Sequence, residues 1–313
     1  MLSITRQVMG FFSAGARIGS AQACFPAKAG IQSSRPCRWA PAFAGEQLIV
    51  VPPRYFMAAN PADLVGTQIR TWRARRRLSQ LDLALDAEIS ARHLSFIETG
   101  RSRPSRSMLL RLAERLRIPP RDRNVLLVAG GFAPAQPARP LDHPELAAAR
   151  RAVDKVLAAY EPYPALAVDL HWNLVAANAG IQPFLADVAP HLLEPPLNVL
   201  RLSLHPEGLA PRIENLAQWR GYVFRRLEEQ IDASADPVLA ALLDELRTYP
   251  GGVGDPGESN GIAILLKVRQ GPHLLSFLSM TTVFGTPVDI TLSELAVEAF
   301  LPADAATAEF LQG

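Results

Sequence analysis

Cysteine is almost missing: the 313 residues contain two, Cys24 and Cys37, both within the first forty. The rest of the chain has no thiol, which excludes a disulfide framework, a thiolate zinc site and a cysteine nucleophile there. No run of ~18 apolar residues occurs, so the sequence offers no membrane span. The six histidines, His93, His143, His171, His191, His205 and His273, follow no short ligand spacing such as HExxH. No GxSxG elbow is present. Gly252, Gly254 and Gly257 in "GGVGDPG" satisfy GxGxxG, but the segment follows a helical pattern and contains Pro256, so it reads as a loop rather than a strand-to-helix phosphate turn. Asp169 and His171, two apart, share a face with no nucleophile identified beside them. These absences argue against an enzyme and call for no cofactor and no metal.

What is there is a division of charge. Hydrophobic residues make up 49% and the mean hydropathy is +0.09, values of a globular chain. The formal charge of +2 conceals two opposite halves. Asp63 to Gly131 carries 14 arginines, no lysine and 7 acids, a net of +7, whereas Phe132 to Gly313 carries 12 basic and 22 acidic residues, a net of −10. A basic module joined to an acidic one suggests that the first meets a polyanion, and the bias to arginine favours phosphates or base edges. The plain alternative is a solvated helix face.

Helix signals come in quick succession in the basic module. Asn60 and Pro61 suit an N-cap and first turn, and Leu64, Ile69 and Trp72 give the first helix its apolar side. Ser79 caps a second helix with Asp82 as capping-box partner, Ser90 caps a third that Gly100 ends in a left-handed conformation, and Ser105 caps a fourth. A fifth short helix stops at Gly130 and Gly131. Five short helices in about seventy residues, the second and third separated by "AEI", describe a helix-turn-helix in a compact bundle. The stretch "LSQLDLALDAEISARHLSFIETGRSRPSRSMLLRLAERLRIP" resembles the Xre, or phage-repressor, type of domain.

In that domain the third helix lies in the major groove with its N-terminal residues foremost. Ser90, Ala91, Arg92, Ser95 and Phe96 are therefore the candidates for reading DNA, with Arg92 placed for guanine and Ala91 or Phe96 for a thymine methyl. The resemblance gives Gln80 a phosphate contact, and Arg101, Arg103 and Arg106 after Gly100 are assigned the same role. Each has a duller alternative: Arg92 solvated, His93 bonded locally, Phe96 partly core. Glu98 would repel phosphate and is assigned to structure, paired with an arginine such as Arg70 or Arg73.

Upstream, "VMGFFSAGA" before "SAQA" is too short and irregular for a convincing secretory signal. "FPAKAGIQSSRPCRWAPAFAGE" is instead similar to a translated bacterial intergenic repeat. Residues 1–56 are accordingly expected to be a non-native or disordered extension, with Met57 as the natural start.

Ala133 to Pro144, rich in proline and alanine, reads as a linker. Beyond it come a helix through Leu146, Val153, Val156, Leu157 and Tyr160, two short strands in "ALAVDLHWNLVAAN", helical patterns over about 211–233 and 237–249, and three terminal strands. This is an α+β plan with helices against one face of an antiparallel sheet. The segments "VDLHWNLVAAN", "NVLRLSLHPEGLAPRIENLAQWRGYVFRRLEEQI" and "TTVFGTPVDITLSELAVEAFLPADAAT" resemble the MmyB-type ligand-binding domain attached to Xre-type regulators.

The expected fold is thus a five-helix, lambda-repressor-like helix-turn-helix domain over 57–132, a linker over 133–144, and a PAS-like α+β domain over 145–313. The resemblance implies a pocket, with fatty-acid-type ligands for at least some members. Trp172, Leu174, Phe184, Leu200, Trp219, Tyr222, Val223, Leu266, Phe277, Leu278, Met280 and Phe284 are candidates for an apolar lining, against the alternative of plain core. Arg201, Arg212 and Arg220 are candidates for a ligand carboxylate, against salt bridges to Glu207, Glu214 or Glu228. The expected protein is a cytoplasmic regulator, a homodimer on double-stranded operator DNA that senses a small apolar ligand. The open alternatives are a constitutive DNA-binding protein whose C-terminal domain only dimerises, and an enzyme fused to a DNA-binding domain.

Overall fold

The computed structural model describes residues 61–254 and 264–312. The N-terminal extension with both cysteines, the cap at Asn60 and the last glycine of "GGVGDPG" lie outside the described residues. The basic module is five helices: α1 (Pro61–Arg75), α2 (Gln80–Asp86), α3 (Ala91–Glu98), α4 (Arg106–Arg115) and α5 (Pro120–Ala129). Their starts follow local chemistry. Ser79 Oγ accepts from the Asp82 amide at 3.1 Å while Asp82 accepts from the Ser79 amide at 2.9 Å, a complete capping box. Ser90 and Ser105 accept from the amides of His93 and Met108 in the same way. Gly100 follows α3 with φ 71°, the left-handed turn that ends the helix, and the Ser102 amide bonds back to Phe96 O at 3.1 Å.

Ile69, Leu83, Leu94, Ile97, Leu109, Leu112, Leu116 and Leu127 form the solvent-free centre of this bundle. Gly66 lets α1 press on the end of α3: a Cβ there would lie 2.6 Å from the carbonyl oxygens of both Ile97 and Glu98. That contact leaves no room for a side chain.

The acidic module has α6 (Ala147–Ala159), β1 (Ala165–Val168), β2 (Leu174–Ala177), α7 (Val199–Leu204), α8 (Leu216–Ser234), α9 (Pro237–Thr248), β3 (Leu265–Gln270), β4 (His273–Val283), α10 (Ile290–Ser293), β5 (Ala296–Pro302) and α11 (Ala305–Gln312). The strands form one antiparallel sheet in the order β2-β1-β5-β4-β3, so the last strand is central. This is the layout expected of a PAS-like domain.

One expectation is corrected. Helices cover both faces rather than one. Leu166, Val168, Leu266, Val268, Leu275 and Phe277 face α7, α8 and α9 in the larger core, while Ala165, Ala167, Val297 and Ala299 face Val153 and Leu157 of α6 on the opposite side. The alanines on that second face explain it, because small side chains let a helix lie close to the sheet. β1 is consequently buried at every position.

The segment between the modules is held at both ends. Asn124 of α5 donates to Gln136 O at 2.7 Å and accepts from the Ala135 amide at 2.8 Å. Arg139 pairs with Asp289 at 3.0 Å, and the Ile290 amide bonds Pro137 O at 2.9 Å.

Candidate DNA-reading surface and ligand cavity

α3 buries Leu94 and Ile97 and leaves Arg92 exposed, with Ala91, Ser95 and Phe96 half-buried beside it. The Arg92 guanidinium lies 5.4 Å from the centre of the Phe96 ring one turn on, so the two present a common surface. Arg101, Arg103 and Arg106 are exposed after Gly100. Among the described residues none of these four arginines makes an ion pair, and their charge is available to an incoming anion.

Glu98 ends α3 and is buried, with 3% exposure. Arg73 grips it with two bonds, 2.6 and 2.9 Å, Gln80 donates at 2.7 Å, and Arg70 stands 3.7 Å away. Burial pushes this carboxyl up, but the hydrogen bonds from Arg73 and Gln80 and the two guanidinium charges prevail and hold it below the usual carboxylate range. One carboxylate therefore ties α1, the start of α2 and the end of α3 together. It also engages the residue expected at a phosphate: one Gln80 amide hydrogen is committed to Glu98, leaving the other for DNA.

In the C-terminal domain a cavity of about 110 Å³ lies between the sheet and α7, α8 and the turn at 179–185. Trp172, Phe184, Trp219, Tyr222, Val223 and Phe277 line it, joined by Leu166, Ile181, Leu200, Leu202, Leu266 and Phe300. Phe184 and Phe277 meet edge to face at 5.7 Å, and Trp219 and Tyr222 lie 5.2 Å apart. Trp172 enters from the β1–β2 turn with φ 65°, a left-handed conformation costly for an aromatic residue. Asp169 braces that turn by accepting from the His171 and Asn173 amides, and the Trp172 indole donates to Gln230 at 2.9 Å.

The other candidates, Leu174 and Leu278 among them, do not line it. Met280 is 47% exposed on the far half of β4, and Phe284 packs into the small core on the opposite face of the sheet. Arg201 is paired twice with Glu245, at 2.7 Å each, a partner not among the acids weighed from sequence. Arg212 donates to the carbonyls of Phe184, Ala186 and Arg269 and to Gln270 Oε1. Arg220 is buried, bonds Gly252 O at 2.7 Å and stacks 5.0 Å from Phe224. None of the three arginines lines the cavity.

The polar end of the cavity is made by two residues that sequence reasoning missed, Arg226 and Glu298. Arg226 bonds Glu298 at 2.7 and 3.2 Å and lies 4.6 Å from the Trp172 ring. Thr281 and Ser279 donate to the same carboxylate at 2.9 and 3.3 Å. The available signal was a lone acid in the apolar run "LAVEAFLP", which as a central strand buries both of its faces.

A family model described as the MmyB-like transcription regulator ligand binding domain matches residues 149–313, more than half of the chain, and a helix-turn-helix domain model matches residues 64–126. The chain belongs to the MmyB-like transcription regulators. It is a DNA-binding transcription regulator with a C-terminal ligand-binding domain. Comparison with curated proteins finds no match. Two crystal structures of the clp gene regulator ClgR from Corynebacterium glutamicum are similar to part of it. One is 22% identical over 24% of this chain and 92% of its own, the other 21% identical over 33% and 97%, both with a TM-score of 0.21. Among the described residues no helix of this MmyB-like regulator is long and apolar enough to cross a membrane.

The two domains of the regulator meet along α5 and the ends of α8 and α9. Arg76 donates to Asp232 O at 3.1 Å and Ala233 O at 2.9 Å, and Arg121 pairs twice with Glu294 at 2.9 and 2.7 Å. Asp122 sits among these charges. Burial, and then the negative charges of Asp236 and Glu294 against the pull of Arg121, push its carboxyl up to about 6. Behind the seam, within the C-terminal domain, His171 bonds Asp236 at 2.9 Å, which raises the imidazole above its ordinary value; burial opposes this, and the charges of Asp236, Asp169 and Glu294 add to it.

The raised His171 acts on the C-terminal domain itself: its contribution there is present below its ordinary value of 6.5 and is lost as pH rises through its folded value. A carboxyl raised by docking favours the docked form while it is protonated, and loses that advantage as pH rises through about 6. Docking should therefore loosen as pH rises from about 4 to about 6. Limited proteolysis of residues 133–143 is expected to speed up across that range, and Asp122→Asn should flatten most of the change. An unchanged profile in the variant would remove Asp122 from the seam's energetics.

Proposed function

We propose that this regulator binds a pseudo-palindromic operator as a homodimer, with α3 in the major groove, and that an apolar small molecule of the fatty-acid type entering the C-terminal cavity alters its grip on DNA. The observation that carries this reading is α8. Trp219, Tyr222, Val223 and Arg226 of α8 form one wall of the cavity, and about two turns further on the same helix presents Asp232 O and Ala233 O to Arg76 of the DNA-binding domain. A ligand that displaces the wall displaces the carbonyls that Arg76 holds.

The size of the cavity supports the same mechanism. At about 110 Å³ it is well below the ~300 Å³ of a preformed small-molecule site, so an acyl chain enters only if the walls move. A ligand shifts an equilibrium only by preferring one arrangement, and a cavity that must open supplies that preference. Homodimerisation follows from the DNA side, since two recognition helices one DNA turn apart require two subunits.

The test is operator binding by fluorescence anisotropy with the full chain, with and without a saturating long-chain fatty acid. The affinity for the operator should change with ligand in the wild type. Arg92→Ala should cost ~1–3 kcal/mol on the specific site and relax one base position while keeping the ligand response. Equal weakening on every sequence would make Arg92 a phosphate contact. Operator affinity indifferent to ligand would leave the C-terminal domain a dimerisation module.

A further inference from the structure

The histidines look scattered in the sequence, but the fold brings His191 and His205 together with Glu207. One ligand atom from each lies within 4.8 Å of the other two. We propose that these three residues form a surface site for a divalent transition-metal ion, zinc being the best match to the donor set. The site is independent of the operator and of the apolar cavity.

The argument rests first on donor chemistry. Two imidazoles and one carboxylate suit zinc, which takes nitrogen and oxygen donors at about 2.0–2.2 Å and leaves a fourth position to water. Tetrahedral donors at that range stand about 3.3 Å apart, so side-chain movements of about an ångström close the site. His191 Nε2 is already 3.9 Å from Glu207 Oε2, and the two imidazole rings meet edge to face at 5.5 Å.

The second support is that the backbone holds the three residues in place. His191 belongs to a short 3-10 turn, Pro190–Leu193, anchored by buried Leu192. His205 follows α7, and its amide bonds Arg201 O at 2.9 Å. The Ala189 amide bonds Glu207 O at 2.9 Å, which ties one segment to the other. Gly208 closes the turn so tightly that a Cβ there would lie 2.2 Å from Leu202 O. His205 also rests edge-on against Tyr249, ring centres 4.9 Å apart, which restricts its rotation.

The His205 ring shows which nitrogen would ligate. Its Nδ1 accepts a hydrogen bond from the Glu207 amide at 3.1 Å, so the neutral ring carries its proton on Nε2. A metal taking Nδ1 displaces this hydrogen bond and turns the Glu207 amide to water. The ion would then cross-link the 190–193 turn to the end of α7, whose Val199, Leu200, Leu202 and Ser203 line the cavity.

The experiment is isothermal titration of the metal-free full-length protein with zinc chloride, with cobalt(II) as a spectroscopic substitute. One saturable site per chain in the micromolar range or tighter is expected, with the visible absorption of four-coordinate cobalt. His191→Ala and His205→Ala should each weaken this site at least ~100-fold, and Glu207→Gln ~10-fold or more, with operator binding and far-UV circular dichroism unchanged. Absence of saturable binding overturns the proposal. So does binding that survives all three substitutions, which would place the metal elsewhere in the chain.

Discussion

Replacing Glu98 with alanine is expected to cost the helix-turn-helix domain about 3–5 kcal/mol, the range for removing one partner of a buried ion pair. Both oxygens are bonded, its side chain is fully enclosed, and Arg73, only 15% exposed, would be left without its charge partner. A domain of about seventy residues has only some 5 kcal/mol to lose, so most of its cooperative unfolding transition should disappear. Glu98→Gln should cost less, because an amide can still accept from Arg73. Since the folded carboxyl lies below its ordinary 4.5, this stabilisation is present above about that pH and lost as pH falls through the depressed value. Chemical denaturation of wild type and variant at neutral pH checks the claim, and a difference under about 1 kcal/mol would refute it.

The second large effect is expected at Glu298. Its carboxylate neutralises Arg226 at the polar end of the cavity, with Tyr222, Thr281 and Trp172 around the pair. Glu298→Ala should destabilise the C-terminal domain by about 3–5 kcal/mol by leaving that guanidinium unpaired. It should also convert the cavity into a better carboxylate site. A long-chain fatty acid should raise the melting temperature of the variant more than that of the wild type, because its carboxylate supplies the missing charge. In the wild type a fatty-acid carboxylate must compete with Glu298 for Arg226. A variant whose melting temperature does not respond to fatty acid would place the ligand's head group elsewhere.

Both predictions concern residues whose role was unevenly legible. Glu98 could be assigned from sequence because a carboxylate in a DNA-facing helix makes sense only as structure, and its partner Arg73 lies within the same bundle. Glu298 and Arg226 could not be paired, since they are separated by 72 residues and only the sheet register places Glu298 between Leu166 and Thr281. The candidate arginines Arg201, Arg212 and Arg220 show the same limit. A guanidinium on a helix is equally suited to a ligand, a carboxylate or a carbonyl, and its neighbours decide.

The sequence by itself determined the starts of α2, α3 and α4, since a capping serine and the amide it accepts from are three residues apart. It determined the turn after α3, because Gly100 tolerates a positive φ, and it determined the separation of a basic module from an acidic one. Eight of the cavity's lining residues were also legible, since large apolar side chains at helix and strand periods must point inward. Only the tertiary structure decided which side of the sheet each lined, sending Phe284 to the alanine-rich face under α6 and leaving Met280 in solvent. It alone decided which charges meet: Arg76 with the end of α8, Asp122 with Asp236, and His191 with His205 and Glu207. Caps and periodicity are properties of a few consecutive residues, whereas electrostatic partners are set by distances in space that chain order does not record.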